Sequence, residues 1–397
     1  MASEPADETR RAAAAPALWQ LFVDLLLVSA TSWGGFAVMA AAERKLVQQR
    51  GWLAPGAYAN AIALAWSMPG AVGVNALARM GYALRGWWGA AAALVAAATP
   101  ASLGVAAIAA AYAYLGGGLH TAPIVAGLVP VICASIFSSG INQARSAITS
   151  RRSAALAAAC GLAIALAQHL LVPLLSLLAC AFAGMAARRP DDTSDAAAAA
   201  PGSLRAPVLF VLGALALWIP AVAPLQAGLT DLFLILARLS LSLFGGALII
   251  VPLLQDLFVR DYRWLDGTTF AAALAASQSS PGPLLSSVVF MGFTLHGWAG
   301  AGVAALAVFV PPALAIVVCG QVVDGLMHHA NMRAAMRGVR VGVVGLTFAS
   351  AVAVGRHAKF SWVTLAIFGV SMLLLQRTRL PLALLFVIAG GVGWLGF

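Results

Sequence analysis

The sequence predicts an all-α, polytopic membrane protein made of two homologous helical repeats. Three observations lead there: composition, the spacing of apolar runs, and an internal duplication. Of 397 residues, 62% are hydrophobic and 9% are charged, and the mean hydropathy is +0.94. A soluble chain of this length needs far more polar surface. The apolar runs are mostly long enough to cross roughly 30 Å of hydrocarbon as helices. No charged face interrupts them at helical spacing, which argues against an Ala-rich soluble helical protein.

The runs fall at 17–42, 55–83, 87–115, 121–149, 154–170 and 171–187, then at 206–225, then at 229–255, 268–296, 298–323, 335–355, 360–375 and 380–397. This divides the chain into a polar tail (1–16), a first membrane repeat (17–187), a polar linker (188–205), a connecting transmembrane helix (206–225) and a second repeat (229–397). The linker RRPDDTSDAAAAAPGSLR is low in complexity and reads as exposed. The polar start through Arg11 leads into a segment without a small-residue cleavage pattern, so a cleaved signal peptide is not expected.

The duplication is carried by Gly, Pro and Trp in one order at one offset. Trp33-Gly34-Gly35 matches Phe244-Gly245-Gly246 at an offset of 211, and Met68-Pro69-Gly70 matches Ser280-Pro281-Gly282 at 212. Trp52-Leu53 matches Trp264-Leu265, Gly86-Trp87 matches Gly297-Trp298, and Pro100 matches Pro311. Shared Ala and Leu would mean little in two membrane sequences; shared breakers in register mean common descent.

If every run crosses once, there are about 12–13 transmembrane segments. Seventeen basic residues then lie on the N-terminal side and five on the other, so the N-terminus is expected in the cytoplasm and the halves are expected to be inverted. If the Pro-Gly segments re-enter instead, the count becomes 15 against 7 and the halves run parallel. Both topologies stay open at this point. The net charge of +10 comes from short clusters between apolar runs, so it reads as membrane orientation and not as nucleic-acid binding.

Pro removes a backbone donor and Gly weakens a helix, so MPG (68–70) and PGP (281–283) should interrupt their segments. Each interruption starts a new helix inside the membrane, with unpaired N–H groups and a positive dipole end that suit an anion. Inverted repeats with broken helices are a recurring plan of secondary transporters, with substrate at the repeat interface. The candidate anion-binding residues are Pro69, Gly70 and Asn75 at the first break and Gln278, Ser280, Pro281, Gly282 and Pro283 at the second. Gly34, Gly35, Gly245 and Gly246 join them as hinges or close-packing points, and Arg238 as an intramembrane cation. The bland alternatives are a proline kink, and polar side chains that satisfy freed backbone groups. Asp24, in the first segment, is expected to pair with Arg238, to carry a proton, or to sit at the interface.

No metal spacing, enzyme signature or ATP-binding loop occurs, so neither a cofactor nor a metal is expected. The four cysteines (Cys133, Cys160, Cys180, Cys319) read as buried membrane thiols. A secondary transporter is the leading function, with an anion channel or a membrane-embedded enzyme as alternatives. The lipid bilayer is the expected surrounding, and a homodimer is one arrangement the sequence allows.

At its aromatic-Gly-Gly and Pro-Gly elements the chain resembles the chromate ion transporter family, as a long-chain, two-domain member. SLFGGALIIVPLLQDLFVRDYRWL (242–265) and SQSSPGPLLSSVVFMGFTLHGWAGAGVAALAVFVPP (277–312) carry the resemblance best. The first half departs, with Trp33 for the usual Phe, Phe36 and Ala71 for common Pro residues, and Leu27 where Arg238 provides the basic residue of the second half. The resemblance implies export of chromate, or of a similar oxyanion such as sulfate, across the cytoplasmic membrane, with the second half dominating the site.

Overall fold

The computed structural model describes residues 15–32, 35–115, 118–166, 171–187, 228–243, 254–327, 330–355, 361–378 and 382–396. Among these residues the secondary structure is helical, with no strand, as the sequence predicts. The linker and the connecting segment lie outside the described residues.

The first half begins with α1 (Leu18–Ala30) and α2 (Gly35–Ala42), the latter continued by a π-helical turn, Glu43–Gln49. Asp24 on α1 reaches Lys45 at 3.1 Å and Arg50 at 2.8 Å. A straight helix would separate residues 21 positions apart by about 32 Å. The first segment therefore doubles back between α1 and the π-helical turn.

α3 (Pro55–Ser67) starts with proline at its first turn, where the missing N–H costs nothing. α4 (Val72–Tyr114) is two helices, 72–84 and 87–114, reversed at Arg85 (φ −143°, ψ 23°) and Gly86 (φ 59°, ψ −146°). In the second half, after α8 (Leu229–Ser242) and α9 (Gly267–Ser279), α10 (Ser287–Met327) reverses at His296 (φ −139°, ψ 24°) and Gly297 (φ 58°, ψ −145°). The duplication read from the sequence thus extends to backbone angles. Each reversal lets the two arms touch through glycine: a Cβ on Gly81 would lie 2.3 Å from the Gly89 carbonyl oxygen, and one on Gly292 2.4 Å from that of Gly300.

The Pro-Gly segments fold back as well. A Cβ on Gly320 would lie 2.9 Å from Leu64 and 3.6 Å from Arg79, so the arms on either side of the first break reach the same point. On the second, Thr269 before the break and Phe290 after it both contact Tyr112, at 3.5 Å between hydroxyls and 5.3 Å between rings. Both Pro-Gly segments therefore fold as hairpins whose two arms reach the same neighbours. The physical reason is that a Pro-Gly break frees the chain to turn, and packing against the partner half then decides the direction.

Residues 87–114 of α4 and 298–327 of α10 form the long central helices. Outside them lie α5 (Gly118–Ala147) and α11 (Ala330–Gly355), each carrying a pair of short helices. Cys133 lies by Gly355, Phe137 and Gly140 by Phe348, and Gln143 by Thr347, so α5 and α11 run antiparallel. The short pairs are α6 (Arg151–Leu166) with α7 (Leu171–Ala186), and α12 (Trp362–Arg377) with α13 (Leu382–Gly396). Glycines again set the contacts: Gly161 on Gly345, Gly184 on Gly338, and Gly127 on Gly393. All four cysteines are free and buried, as expected.

Candidate functional site

The breaks have a local cause. A residue before proline is pushed out of the helical region, and Met68 (φ −105°, ψ 152°) and Ser280 (φ −98°, ψ 145°) are both extended. Gly70 (φ 103°) and Gly282 (φ 135°) then take positive φ, which glycine adopts without a Cβ clash.

Several polar groups serve the broken backbone itself. Asn75, buried, donates from Nδ2 to the Pro69 carbonyl at 2.6 Å. Ser286 donates to the Pro283 carbonyl through Oγ at 2.8 Å and through its N–H at 3.0 Å. Ser277 and Ser279 donate to the Leu274 and Ala275 carbonyls within their own helix. Two hydroxyls remain. Ser280 Oγ and Ser287 Oγ are buried and have no hydrogen-bond partner among the described residues. A buried polar atom without a partner is costly, by about 1–3 kcal/mol, and such atoms mark places built to meet something else.

The tips of the hairpins meet across the halves. The Gly70 N–H donates to the Leu243 carbonyl at 2.8 Å, joining the first Pro-Gly break to the residue before Phe244-Gly245-Gly246. A Cβ on Gly70 would stand 2.4 Å from Pro312 Cβ, and one on Gly282 2.4 Å from Ala101 Cβ. Ala101 and Pro312 are repeat equivalents, 211 positions apart. Each Pro-Gly tip is therefore seated on the middle of the other half's long helix. A Cβ on Gly104 would come within 2.6 Å of Ser280 Oγ, so a glycine makes room for that hydroxyl.

This changes the grouping expected from sequence. Arg238, half-buried on α8, lies five residues before Leu243, whose carbonyl bonds the first break. Gln278 is half-buried before the second break, and Pro281, Gly282 and Pro283 are half-buried in it. Gly35 opens α2; Gly34, Gly245 and Gly246 lie outside the described residues. Asp24 pairs with Lys45 and Arg50, not with Arg238, because its segment folds back on itself. Among the described residues no group of three His, Cys, Asp or Glu converges as a metal site would.

Sequence reasoning missed two features. A cavity of about 350 Å³ flanks the second break, lined by Ser279, Leu128, Phe386, Val387 and Trp394 among others. Its one sequence signal is Gly390-Gly391, a small-residue pair in the last segment. The second is the Ser287 hydroxyl, which stands out only when burial and partners are known.

The sequence profile of the chromate transporter family matches residues 19–185 and 230–394. The chain belongs to this family. An uncharacterized transporter of Methanocaldococcus jannaschii is 25% identical to the transporter over 366 residues, covering 91% of this chain and 90% of that protein. A probable chromate transport protein of Synechococcus elongatus is 29% identical over 181 residues, 44% of this chain and 46% of its own length. The uncharacterized transporter YwrB of Bacillus subtilis is 30% identical over 162 residues, 40% of this chain but 82% of its own length. YwrB is thus about one repeat long, which suits a duplicated architecture. No solved structure matches the transporter.

Proposed function

We propose that the chain is a secondary transporter that exports a divalent oxyanion across the cytoplasmic membrane, chromate with sulfate as a competitor, using an ion or electrical gradient. One observation carries the reading: two Pro-Gly hairpin tips, the first buried and the second half-buried, each seated on the other half's long helix, with the buried Ser280 and Ser287 hydroxyls left without partners among the described residues. Helix N-termini at the tips add amide donors and a positive dipole end for the anion. Because the tips contact opposite halves, movement of one half against the other would open one approach and close the other, as alternating access requires. Relatives from Synechococcus elongatus, Cupriavidus metallidurans and Pseudomonas aeruginosa that are named as chromate transport proteins support chromate as the substrate. Inside-out vesicles loaded with this protein should take up labelled chromate saturably, with sulfate competing and a proton gradient or membrane potential changing the rate. Conductance without saturation would replace the transporter with a channel, and no flux of either anion would end the substrate assignment.

The topology we infer has four re-entrant hairpins and nine crossings, four in each half and one at 206–225. An odd number of crossings between equivalent points inverts the halves, and the antiparallel run of α5 and α11 supports that arrangement. It also sharpens the charge bias. Eighteen basic residues fall on the N-terminal side, and Arg260, Arg263, Arg356 and Lys359 on the other, with Arg238 inside a hairpin. The N-terminus is then cytoplasmic.

A further inference from the structure

The base of the first hairpin holds more charge than its fold requires. Asp24 is 4% exposed, and its carboxylate accepts from Lys45 Nζ at 3.1 Å, Arg50 Nε at 2.8 Å and Arg50 Nη2 at 3.2 Å. The Arg50 guanidinium also lies 5.2 Å above the Trp52 ring, so a carboxylate and an aromatic face fix its position. One carboxylate against two cations leaves a net positive charge. Arg44 and Lys45 are the cations that line a cavity of about 270 Å³ together with Asp24, Thr31 and Gln49, while Arg50 stands behind Asp24 and outside the lining. Glu43, the other acid of this stretch, does not line it.

Among the described residues of the second half the equivalent positions do not form this cluster, and the nearby ion pair there is Asp256 with Arg260. At the equivalent offsets of 211 and 212, Ile235 replaces Asp24, Asp256 replaces Arg44, Leu257 replaces Lys45 and Tyr262 replaces Arg50. The repeat therefore folds without these ion pairs, and partly exposed ion pairs add little stability. Orientation in the membrane accounts for the sign of these charges, but not for their gathering around one buried carboxylate beside a cavity.

We propose that this cavity is a loading site for a tetrahedral oxyanion. Arg44 and Lys45 are its ligands, and Asp24, itself anchored by Arg50, is an internal occupant that holds Lys45 in place until the anion takes it over. The cavity has room for such an anion with several of its waters, since a water's share of liquid volume is about 30 Å³. Arg44 presents a planar fork of donors and Lys45 a point charge, a combination suited to tetrahedral oxygens. A cation-lined mouth raises the local concentration of the anion before it reaches the hairpin tips. The assignment of this mouth to the exporting side rests on the function proposed above; the site itself does not.

The test is equilibrium binding of labelled sulfate to the full chain in nanodiscs of zwitterionic lipid. The wild type should show two components. Arg44→Gln and Lys45→Gln should each weaken one component about tenfold or more, and Asp24→Asn, which removes the competing carboxylate, should tighten the same component by a similar factor. Ser280→Ala with Ser287→Ala should affect only the other component, so failure of the tip site and failure of the loading site appear separately. Thermal unfolding of each variant reports whether it is folded; Arg44 is exposed and its variant is the safeguard if Asp24→Asn is not. Adding phosphatidylglycerol separates two sources of the same chemistry: loss of the Lys45-dependent component identifies a lipid phosphate as the occupant, and its persistence identifies the free anion. An isotherm unchanged by both Arg44→Gln and Lys45→Gln, or weakened by Asp24→Asn in a folded protein, overturns the proposal.

Discussion

Glycine and serine do different work at the hairpin tips, and substitutions should separate them. Gly70 combines a φ of 103° with a Cβ position 2.4 Å from Pro312, so Gly70→Ala is strained and also forces the first tip off the second half. Its cost should be on the order of 2–3 kcal/mol, with transport lost. Gly86, at φ 59° and ψ −146°, has nothing within 4 Å of its missing Cβ, so Gly86→Ala should cost only about 1–2 kcal/mol from backbone strain. Thermal unfolding and vesicle uptake measured together would check that ordering; equal effects would mean that the Gly70–Pro312 approach is not a constraint. Ser280→Ala and Ser287→Ala should behave oppositely. Each removes a buried hydroxyl that has no partner among the described residues, so stability should hold or rise, by up to about 1–3 kcal/mol, while anion affinity falls about tenfold. A clear loss of stability with unchanged affinity would assign these hydroxyls to packing.

Helix starts and reversals set the hairpins, and here the sequence was informative about where and silent about which way. Pro69 and Pro281 mark the breaks because proline excludes a helical residue before it, and that reading needs no tertiary structure. Reversal depends on contacts between arms, such as Gly81 with Gly89 and Gly292 with Gly300, which share an eight-residue spacing that composition does not announce. Asp24 shows the same limit, since its partners lie 21 and 26 residues away and are adjacent only because the segment folds back. Outside the membrane, Asp266 caps α9 by accepting from the Thr269 N–H at 2.7 Å and from the Thr268 hydroxyl. Burial alone would raise its pKa, but these hydrogen bonds outweigh it and hold the carboxyl below the usual range. The folded pKa being depressed, the stabilisation is present above the unfolded value near 4 and is lost as pH falls through the folded one. Asp266→Ala should therefore destabilise by about 1 kcal/mol at pH 7, and the difference from wild type should shrink under acid. A difference that persisted unchanged at low pH would mean that the carboxylate is not the cap.

Across the whole molecule, re-entry makes a claim that composition could not. Two hairpins per half subtract two crossings, so the parity that inverts the repeats survives while the sides of several loops change. In a chain whose runs each cross once, residues near 48 and 85 face opposite sides. With both hairpins re-entrant they face the same side, and residue 260 faces the other. Gln48, Arg85 and Arg260 are all exposed at hairpin bases, which makes them accessible positions for the comparison. The four native cysteines are buried and can be replaced or blocked first. Single variants Gln48→Cys, Arg85→Cys and Arg260→Cys, treated in intact cells with a membrane-impermeant maleimide, should label only at 260. Permeabilised cells should label at all three. Opposite labelling of 48 and 85 would restore single crossings for the Pro-Gly segment and remove the tip-to-tip geometry on which the anion site depends. Matching labels at 48, 85 and 260 would keep the hairpins but make the halves parallel, and alternating access by two inverted halves would then have no structural basis.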